Sequence, residues 1–253
     1  MPRPPLSVTF ITLNEASKIE QSLRAASFAE ELIVVDSGST DGTPEIAARL
    51  GAKVFHNPWP GFGQQKNFAA SQASHDWVLN LDADEVLTPE LVLEIESWLS
   101  HRTSTHGVLS IPRKTFYHSR WIRYGGWYPN PVPRLAHRKT SRWSEPKLHE
   151  RLEGEGPIQV AQEPLHHYSF DSIADQVRTN LRYAKLGAEE LTARGQRFSL
   201  FKLILKPISK FLECYFWKLG LLDGKLGLII AVNAAHSMFL KQAFLLESNR
   251  RVS

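Results

Sequence analysis

The sequence has a single cysteine, Cys214, among 253 residues. One cysteine excludes a disulfide within the chain, and such sparse use of cysteine is typical of a reducing compartment. The first residues include three early prolines, and Asn14 and Glu15 follow before an apolar stretch long enough for a secretory signal has formed. We therefore expect a cytoplasmic protein.

Acidic residues are missing from the middle of the chain. The segment from Arg113 to Arg142 carries eight Lys or Arg residues and no Asp or Glu, although the net charge of the whole chain is only +4. A segment of one charge sign predicts an anionic partner. The segment is also rich in Trp and Tyr, and aromatic rings stack on sugars while arginines bind phosphates. A nucleic-acid groove uses the same mixture of residues, so that alternative stays open.

A long uncharged hydrophobic run is also missing. The run from Leu226 to Leu240 has fifteen residues and contains Asn233 and His236, whereas a membrane-spanning helix needs about 20 apolar residues. This C-terminal region is therefore expected to attach to a membrane rather than to cross it. The alternative is a pair of helices that packs on the catalytic domain.

A basic stripe precedes this run. Lys202, Lys206 and Lys210 recur every fourth residue among apolar and aromatic side chains, and no acid occurs from Leu191 to Leu212. Basic amphipathic helices of this kind lie on anionic bilayers. We expect the stripe to face the cytoplasmic surface of a membrane.

Strand and helix patterns alternate along the first hundred residues. This rhythm predicts an α/β fold with a mostly parallel sheet and helices on both faces. Two helices are expected to begin at Thr-Pro, with Thr43 and Thr88 as their caps. We expect three parts: an α/β half over residues 1–100, short strands and loops over 101–168, and helices over 169–253.

The most informative segment is the strand pattern that ends in Leu-Asp-Ala-Asp-Glu, residues 81 to 85. In an extended strand Asp82 and Asp84 share one face, about 7 Å apart, while Ala83 points into the packing. Two carboxylates at the carboxyl end of a parallel strand match a site for Mg²⁺ or Mn²⁺. The alternative is a solvated loop that leads into the next helix.

Two other predicted strands end in polar residues. Asp36 ends one of them, and Thr12, Asn14 and Glu15 follow another. Ligands of open parallel sheets bind at the carboxyl ends of the strands. A plain turn and helix cap would use the same residue types after Asp36.

Four segments together resemble glycosyltransferase family 2, the inverting enzymes with a GT-A fold that use nucleotide sugars. They are TFITLNE from Thr9, ELIVVDSGSTDGT from Glu31, GFGQQKNFA from Gly61 and WVLNLDADE from Trp77, in the order and spacing of the family. The C-terminal segment YFWKLGLLDGKLGLIIA resembles the tail of the members that build lipopolysaccharide cores.

The resemblance implies a nucleotide-sugar site, with a UDP-sugar as donor and Mg²⁺ or Mn²⁺ as cofactor. In the implied Asp-x-Asp element, Asp82 faces the ribose and Asp84 binds the metal, to which His167 could add a ligand. The other residues that the resemblance places around the nucleotide are Thr12, Asn14, Glu15, Asp36, Lys66 and Asn67.

An inverting transfer needs one general base for the acceptor hydroxyl. Glu150, in KLHERLEG, resembles a His-Glu element of a subset of the family, and Glu85 is the second candidate. An ion pair with Arg151 or Lys147 would be an ordinary structural role for Glu150. A packed position would be the ordinary role of His167.

The sequence as a whole predicts a metal-dependent inverting hexosyltransferase on the cytoplasmic face of the inner membrane. The expected reaction moves glucose from UDP-glucose to a lipid-linked anionic acceptor, the inner core of lipopolysaccharide. An enzyme that acts on another envelope polysaccharide, lipid-linked or protein acceptor is the alternative. A basic nucleic-acid-binding module is a remote one, and we expect no nucleic-acid partner.

Overall fold

The computed structural model of the protein describes residues 3–101, 106–145 and 150–252, with side chains as far as residue 249. The chain forms two compact units. The first comprises Met1–Arg113 and Asn130–His167, and the second comprises Lys114–Pro129 and Tyr168–Ser253. The division into three functional parts stays a prediction.

The described residues form twelve strands and seven α-helices. The strands are β1 (Leu6–Thr12), β2 (Glu31–Asp36), β3 (Lys53–His56), β4 (Trp77–Asp82), β5 (Glu85–Val86), β6 (Val108–Tyr117), β7 (Arg120–Trp121), β8 (Pro131–His137), β9 (Ser141–Trp143), β10 (Leu152–Gly154), β11 (Ile158–Val160) and β12 (Leu165–Phe170). The helices are α1 (Ile19–Ala25), α2 (Thr43–Arg49), α3 (Phe62–Ser71), α4 (Pro89–Ser100), α5 (Ile173–Ala193), α6 (Leu200–Leu212) and α7 (Gly224–Val252).

The main sheet has the strand order β3-β2-β1-β4-β8-β6-β12-β5. Strands β3, β2, β1 and β4 are parallel, whereas β8 runs antiparallel to both β4 and β6. Strands β6 and β12 continue from the first unit into the second. The predicted α/β fold with a mostly parallel sheet and a helical C-terminal part is confirmed.

Both faces of this sheet are covered by helices. In β2, Val34 belongs to a core that includes Leu23 of α1 and Leu91 of α4. Its neighbours Ile33 and Val35 belong to a second core on the opposite face, where α3 packs. Alternate side chains of a strand point to opposite faces, which explains this division. The carboxyl ends of the parallel strands, between these two layers of helices, carry polar residues.

The two Thr-Pro helix starts differ. Thr88 caps α4 as predicted, because its hydroxyl accepts a hydrogen bond from the backbone N–H of Leu91 at 3.2 Å. The prediction that Thr43 caps α2 is wrong. The N-cap position of α2 is occupied by Gly42, and no side chain accepts a capping hydrogen bond there. Instead Asp41 accepts the N–H of Thr43 at 3.1 Å, and the Thr43 hydroxyl accepts the N–H of Glu15 at 2.9 Å. Thr43 is therefore used to hold the loop after β1.

The second unit is mainly helical. A π-helical turn, Glu213–Trp217, and a 3₁₀ turn, Gly220–Asp223, connect α6 with α7. Helix α5 ends at Ala193, and Gly195, two residues later, has a φ of +70°. The buried Asp223 accepts hydrogen bonds from the N–H groups of Arg123 and Tyr124, which fixes the loop after β7.

A buried carboxylate ties three elements of the first unit together. Glu31 accepts hydrogen bonds from Lys53 Nζ at 2.7 Å, from the Ser7 hydroxyl at 2.5 Å and from the Ser74 hydroxyl and N–H at 2.7 Å. Burial raises the pKa of Glu31, but the hydrogen bonds from Lys53, Ser7 and Ser74 outweigh it and lower the pKa to about 2. Folding is therefore linked to the ionised form of Glu31.

The protein is expected to become less stable as the pH is lowered, because Glu31 becomes protonated. Its pKa is 4.5 in an ordinary setting and about 2 in the fold, so its contribution is complete above pH 4.5 and is lost as the pH falls toward 2, by about 3 kcal/mol. Urea unfolding at pH 7 and pH 3 checks this. Glu31→Gln should lower the stability at pH 7 and flatten its pH dependence, whereas the exposed control Glu45→Gln should change neither. Equal pH dependence of Glu31→Gln and the unsubstituted protein would contradict the assignment.

Candidate functional site

Polar side chains converge at one edge of the parallel sheet. Thr12, Asp36 and Asp82 are the last residues of β1, β2 and β4. In the register of the sheet, Thr12 lies beside Asp36, and Asp82 lies beside Ile11 of β1. The three strand ends are therefore level, as the sequence predicts.

Asp36 organises the turn that follows β2. Its carboxylate accepts the N–H groups of Gly38 at 2.9 Å and Ser39 at 2.8 Å, and the hydroxyl of Thr12 at 2.9 Å. Burial raises the pKa of Asp36, but these bonds and one from the Ser39 hydroxyl outweigh it, so the pKa lies below its ordinary value. Asp36 is thus ionised at neutral pH, and it fixes both strand ends.

The loop after β1 is held against the loop after β2. Asn14 has a φ of +58°, and its side-chain oxygen accepts the N–H of Thr40 at 2.9 Å. The Asn14 N–H donates to the Ser39 hydroxyl at 2.7 Å, and the N–H of Glu15 donates to Thr43. The positions of Asn14 and Glu15 are therefore set by contacts between the loops.

The two aspartates of the Asp-x-Asp element have different surroundings. Strand β4 ends at Asp82, and residues 83 and 84 form a turn into β5. The argument from an extended strand therefore fails at Asp84, although Ala83 is buried as predicted. Asp82 contacts basic residues from two other elements, whereas Asp84 contacts His167 of β12. Because of this turn, the carboxylates of Asp82 and Asp84 face different groups.

Asp84 and His167 form a pair suited to a divalent cation. The Asp84 Oδ2 and His167 Nε2 atoms are 3.5 Å apart. Burial raises the pKa of Asp84, and the hydrogen bond and charge of His167 outweigh it, so the pKa lies below its ordinary value. Among the residues that the structure describes, no three His, Cys, Asp or Glu side chains come together as a metal-binding group. Two protein ligands fit an ion that takes its other ligands from phosphates and water, not an all-protein cage.

Arg134 of β8 is a site residue that the sequence analysis did not single out. Its side chain is only 1% exposed, and its Nη2 atom lies 2.6 Å from Asp82 Oδ2 and 2.5 Å from Glu85 Oε1. Arg113 approaches the same Glu85 oxygen at 3.8 Å. Burial of Asp82 raises its pKa, and the charges of Arg134 and Lys66 outweigh this and lower the pKa far below its ordinary value. Asp82 is held as a carboxylate by its neighbours.

The position of Glu85 argues against its candidacy as the general base. Its side chain is fully buried, one oxygen bonds to Arg134, and the other accepts the N–H of Asp82 at 3.1 Å. A base must reach the acceptor hydroxyl. Glu85 instead supports the turn that carries Asp82.

Lys66 of α3 connects Asp82 with Glu150. Its Nζ atom lies 2.8 Å from Glu150 Oε1, 3.7 Å from Asp82 Oδ1 and 4.4 Å from the ring centre of Trp143. The ion pair of Glu150 is therefore made with Lys66, which is 84 residues away in sequence. Lys147, one of the two partners that the sequence suggests, lies outside the described residues.

Asn67 holds the strand that carries Trp143. Its side-chain amide donates to the Trp143 carbonyl oxygen at 2.9 Å and accepts the Trp143 N–H at 2.9 Å. Gly63, one turn earlier, has no room for a side chain, because a Cβ atom there would lie 1.9 Å from the Ser144 carbonyl oxygen. Asn67 thus acts on the site through Trp143, and its predicted contact with the nucleotide stays a prediction.

Asn67→Ala is expected to destabilise the protein by about 2 kcal/mol. The substitution removes both hydrogen bonds to the Trp143 backbone, and a longer one of 3.4 Å to the exposed Glu145, and leaves the Trp143 N–H and carbonyl without these partners. Urea unfolding measures the change. Gln64→Ala on the same helix removes a side chain that bonds to the exposed Glu145 and should stay within about 0.5 kcal/mol of the unsubstituted protein. Equal stability of the two variants would refute a clamping role for Asn67.

The aromatic residues of the middle segment pack largely on other aromatic rings of the second unit. Trp121 contacts the rings of Phe116 and Tyr168, with centroids 5.1 Å and 5.7 Å away. Trp127 contacts Tyr117, with centroids 5.4 Å apart. Contacts of these rings with an acceptor sugar stay a prediction.

A parallel α/β sheet whose strands end in carboxylates, with Lys66 of α3 beside them, is typical of domains that bind a ligand at this edge of the sheet. The sequence model of the family described as Glycosyl transferase family 2 matches residues 7–154. The chain therefore belongs to glycosyltransferase family 2 and is a glycosyltransferase.

Several relatives match this chain over nearly its whole length, and two of them illustrate the range. An uncharacterized glycosyltransferase of Rickettsia felis is 32% identical, over 96% of this chain and 90% of that protein. The lipopolysaccharide core biosynthesis glycosyltransferase LpsC of Rhizobium meliloti is 30% identical, over 96% of this chain and 92% of that protein.

Two solved structures illustrate a partial likeness to this chain. Glucosyl-3-phosphoglycerate synthase of Mycobacterium tuberculosis, crystallised with Mn²⁺, UDP and glucosyl-3-phosphoglycerate, is 25% identical over 54% of this chain and 57% of that chain, with a TM-score of 0.39. TarS of S. aureus, residues 1–349, is 18% identical over 98% of this chain and 92% of that chain, with a TM-score of 0.47.

Proposed function

We propose that the protein transfers glucose from UDP-glucose, with inversion at the anomeric carbon, to the inner core of lipopolysaccharide. Membership of glycosyltransferase family 2 supports the reaction class. The match with LpsC over nearly the whole chain supports the acceptor class.

The contacts of Lys66 carry the proposal. This buried lysine lies 2.8 Å from Glu150 and 3.7 Å from Asp82. Asp82 ends a parallel strand, where nucleotides bind in such sheets, and Glu150 follows the basic segment expected to meet the acceptor. A donor and an acceptor bound to these two carboxylates would therefore meet next to Lys66.

Asp84 and His167 would hold the divalent cation. When bound, the cation would stabilise the negative charge of the departing diphosphate. Asp82, kept ionised by Arg134 and Lys66, would accept hydrogen bonds from the ribose hydroxyls. Lys66 would place its positive charge beside the diphosphate.

Glu150 would act as the general base. Its carboxylate would take the proton of the attacking hydroxyl on the face of the sugar opposite the diphosphate, which gives inversion. In the structure described here this carboxylate is bonded to Lys66. Binding of a diphosphate would compete for Lys66 and leave Glu150 available to the acceptor.

The acceptor would be a phosphorylated, lipid-linked glycan at the cytoplasmic face of the inner membrane. The segment from Arg113 to Arg142 has no acid, and its exposed basic residues suit such an anion, whereas Arg134 is already paired with Asp82 and Glu85. The exposed basic residues are Arg120, Arg123, Lys139 and Arg142.

A panel of nucleotide sugars tests the donor. The protein is incubated with each sugar and Mg²⁺ or Mn²⁺ without acceptor, and slow hydrolysis of UDP-glucose above all others is expected. Transfer is then measured on purified inner-core lipopolysaccharide and on a neutral lipid-linked glycan. Faster hydrolysis of another nucleotide sugar would refute the donor, and equal transfer to the neutral glycan would refute the acceptor.

A further inference from the structure

The second unit exposes an apolar surface along α6 and the turns that follow it. No residue of α6 is buried, and the side chain of Trp217, after α6, is 86% exposed. Most soluble proteins do not leave a contiguous apolar surface of this kind in water. We call this surface the apolar edge, and its main members are Phe201, Ile204, Ile208, Leu212, Trp217 and Leu222.

Positive charge accompanies the apolar edge. Lys202 and Lys206 are exposed one turn apart on α6. Glu213 is the first acid after the lysine stripe, and it is bonded to Lys210 at 3.0 Å and to Lys218 at 2.6 Å. The surface therefore combines exposed apolar groups with Lys202 and Lys206, for which no ion pair is formed within the described part of the chain, as in bilayer-binding helices.

Helix α7 is tied to α5 by polar contacts. The Asn233 amide donates to the Gln176 side chain at 2.5 Å, and the Asn180 amide donates to the Asn233 carbonyl oxygen at 3.4 Å. Lys241 crosses α5 so closely at Gly187 that a Cβ atom there would lie 2.8 Å from Lys241 Cε. The two helices are thus packed closely and joined by hydrogen bonds.

This attachment bears on whether α7 crosses a membrane. By length and composition the stretch Gly220–Asn249 could span one, and 22% of its most apolar window is buried. Its partner α5, however, carries six charged residues along its 21 positions. A spanning α7 would draw those charges into hydrocarbon or break its bonds to α5, and both are costly.

We propose that the second unit lies on an anionic bilayer through the apolar edge, with the Phe216–Leu222 turn inserted at the headgroup boundary and with α7 outside the hydrocarbon core. Lys202 and Lys206 contact the lipid headgroups. This inference deepens the proposed function, because it names the surface through which the enzyme reaches a lipid-linked acceptor, but its evidence is independent of the chemistry.

The test uses the full chain and sedimentation with vesicles of phosphatidylcholine alone or with phosphatidylglycerol. Trp217→Ser should weaken binding to the mixed vesicles about tenfold or more. Leu93→Ser, at a 67% exposed leucine of the first unit, is the matched control and should bind like the unsubstituted protein. Lys202→Gln combined with Lys206→Gln should weaken binding to the mixed vesicles about thirtyfold and change binding to neutral vesicles little.

Four results would overturn the proposal. One is unchanged binding by Trp217→Ser, and another is equal binding of both vesicle types by the unsubstituted protein. A third is a dimer that forms without lipid and is lost in Trp217→Ser, because it would assign the apolar edge to a second copy of the chain. The fourth is protection of a C-terminal tag from protease added at the cytoplasmic side of sealed inner-membrane vesicles, because α7 would then span. Hydrolysis of UDP-glucose without vesicles tests the chemistry separately, so either proposal can fail alone.

Discussion

Asp84→Asn is expected to lower the transfer rate at least about a hundredfold while the fold stays intact. Asparagine keeps the size of the side chain but removes the negative charge that faces His167 at 3.5 Å. Loss of a cation ligand removes stabilisation of the departing diphosphate, which amounts to several kcal/mol. The transfer rate, together with Mn²⁺ binding measured by calorimetry in the presence of UDP, checks both parts of the assignment.

Glu90→Gln is the matched control for this variant. Glu90 belongs to the same acidic stretch but is exposed on the first turn of α4. It should bind Mn²⁺ and transfer sugar like the unsubstituted protein. Full activity of Asp84→Asn, or of the unsubstituted protein in excess EDTA, would contradict a metal site at Asp84.

The sheet edge could be predicted from the sequence because its signals are local. Apolar runs ending in Asp36 and Asp82 mark strand ends, and parallel strands bring such ends to one edge. Thr88 was predicted correctly as a cap, since its hydroxyl accepts the N–H three residues later. Thr43 has the same local sequence, but its hydroxyl is bound by Glu15 from another loop. A contact between distant segments overrides the local preference there.

The charged contacts around Asp82 could not be predicted from local patterns. Strand β8 is inserted between β4 and β6, antiparallel to both. Only that order places Arg134 beside Asp82 and Glu85. The sequence did contain one indication of the Arg134 contacts. Arg134 stands next to Leu135 in an apolar strand, and an arginine buried in such a strand requires a carboxylate partner. The pairing of Lys66 with Glu150 has no such signal, because 84 residues separate them.

Glu150→Gln is expected to lower the transfer rate by about 10² to 10⁴ because the general base is lost. Glutamine keeps the shape and the hydrogen-bonding oxygen that faces Lys66 at 2.8 Å. The donor site should therefore keep its form, and UDP-glucose affinity measured by calorimetry should change far less than the rate. A loss confined to the chemical step separates a base from a residue that only positions Lys66.

Two further variants make this result specific. Glu145→Gln replaces a nearby exposed carboxylate that contacts Arg142, Gln64 and, at 3.4 Å, Asn67, and because glutamine keeps an accepting oxygen it should leave transfer unchanged. Glu85→Gln should act through the fold, because it leaves the buried Arg134 with one carboxylate fewer. Its melting temperature should fall, and its remaining folded fraction should still transfer sugar. The opposite result is that Glu150→Gln transfers at the normal rate while Glu85→Gln is inactive with normal stability and donor affinity. In that case the base is Glu85, and its buried carboxylate must become exposed during the reaction.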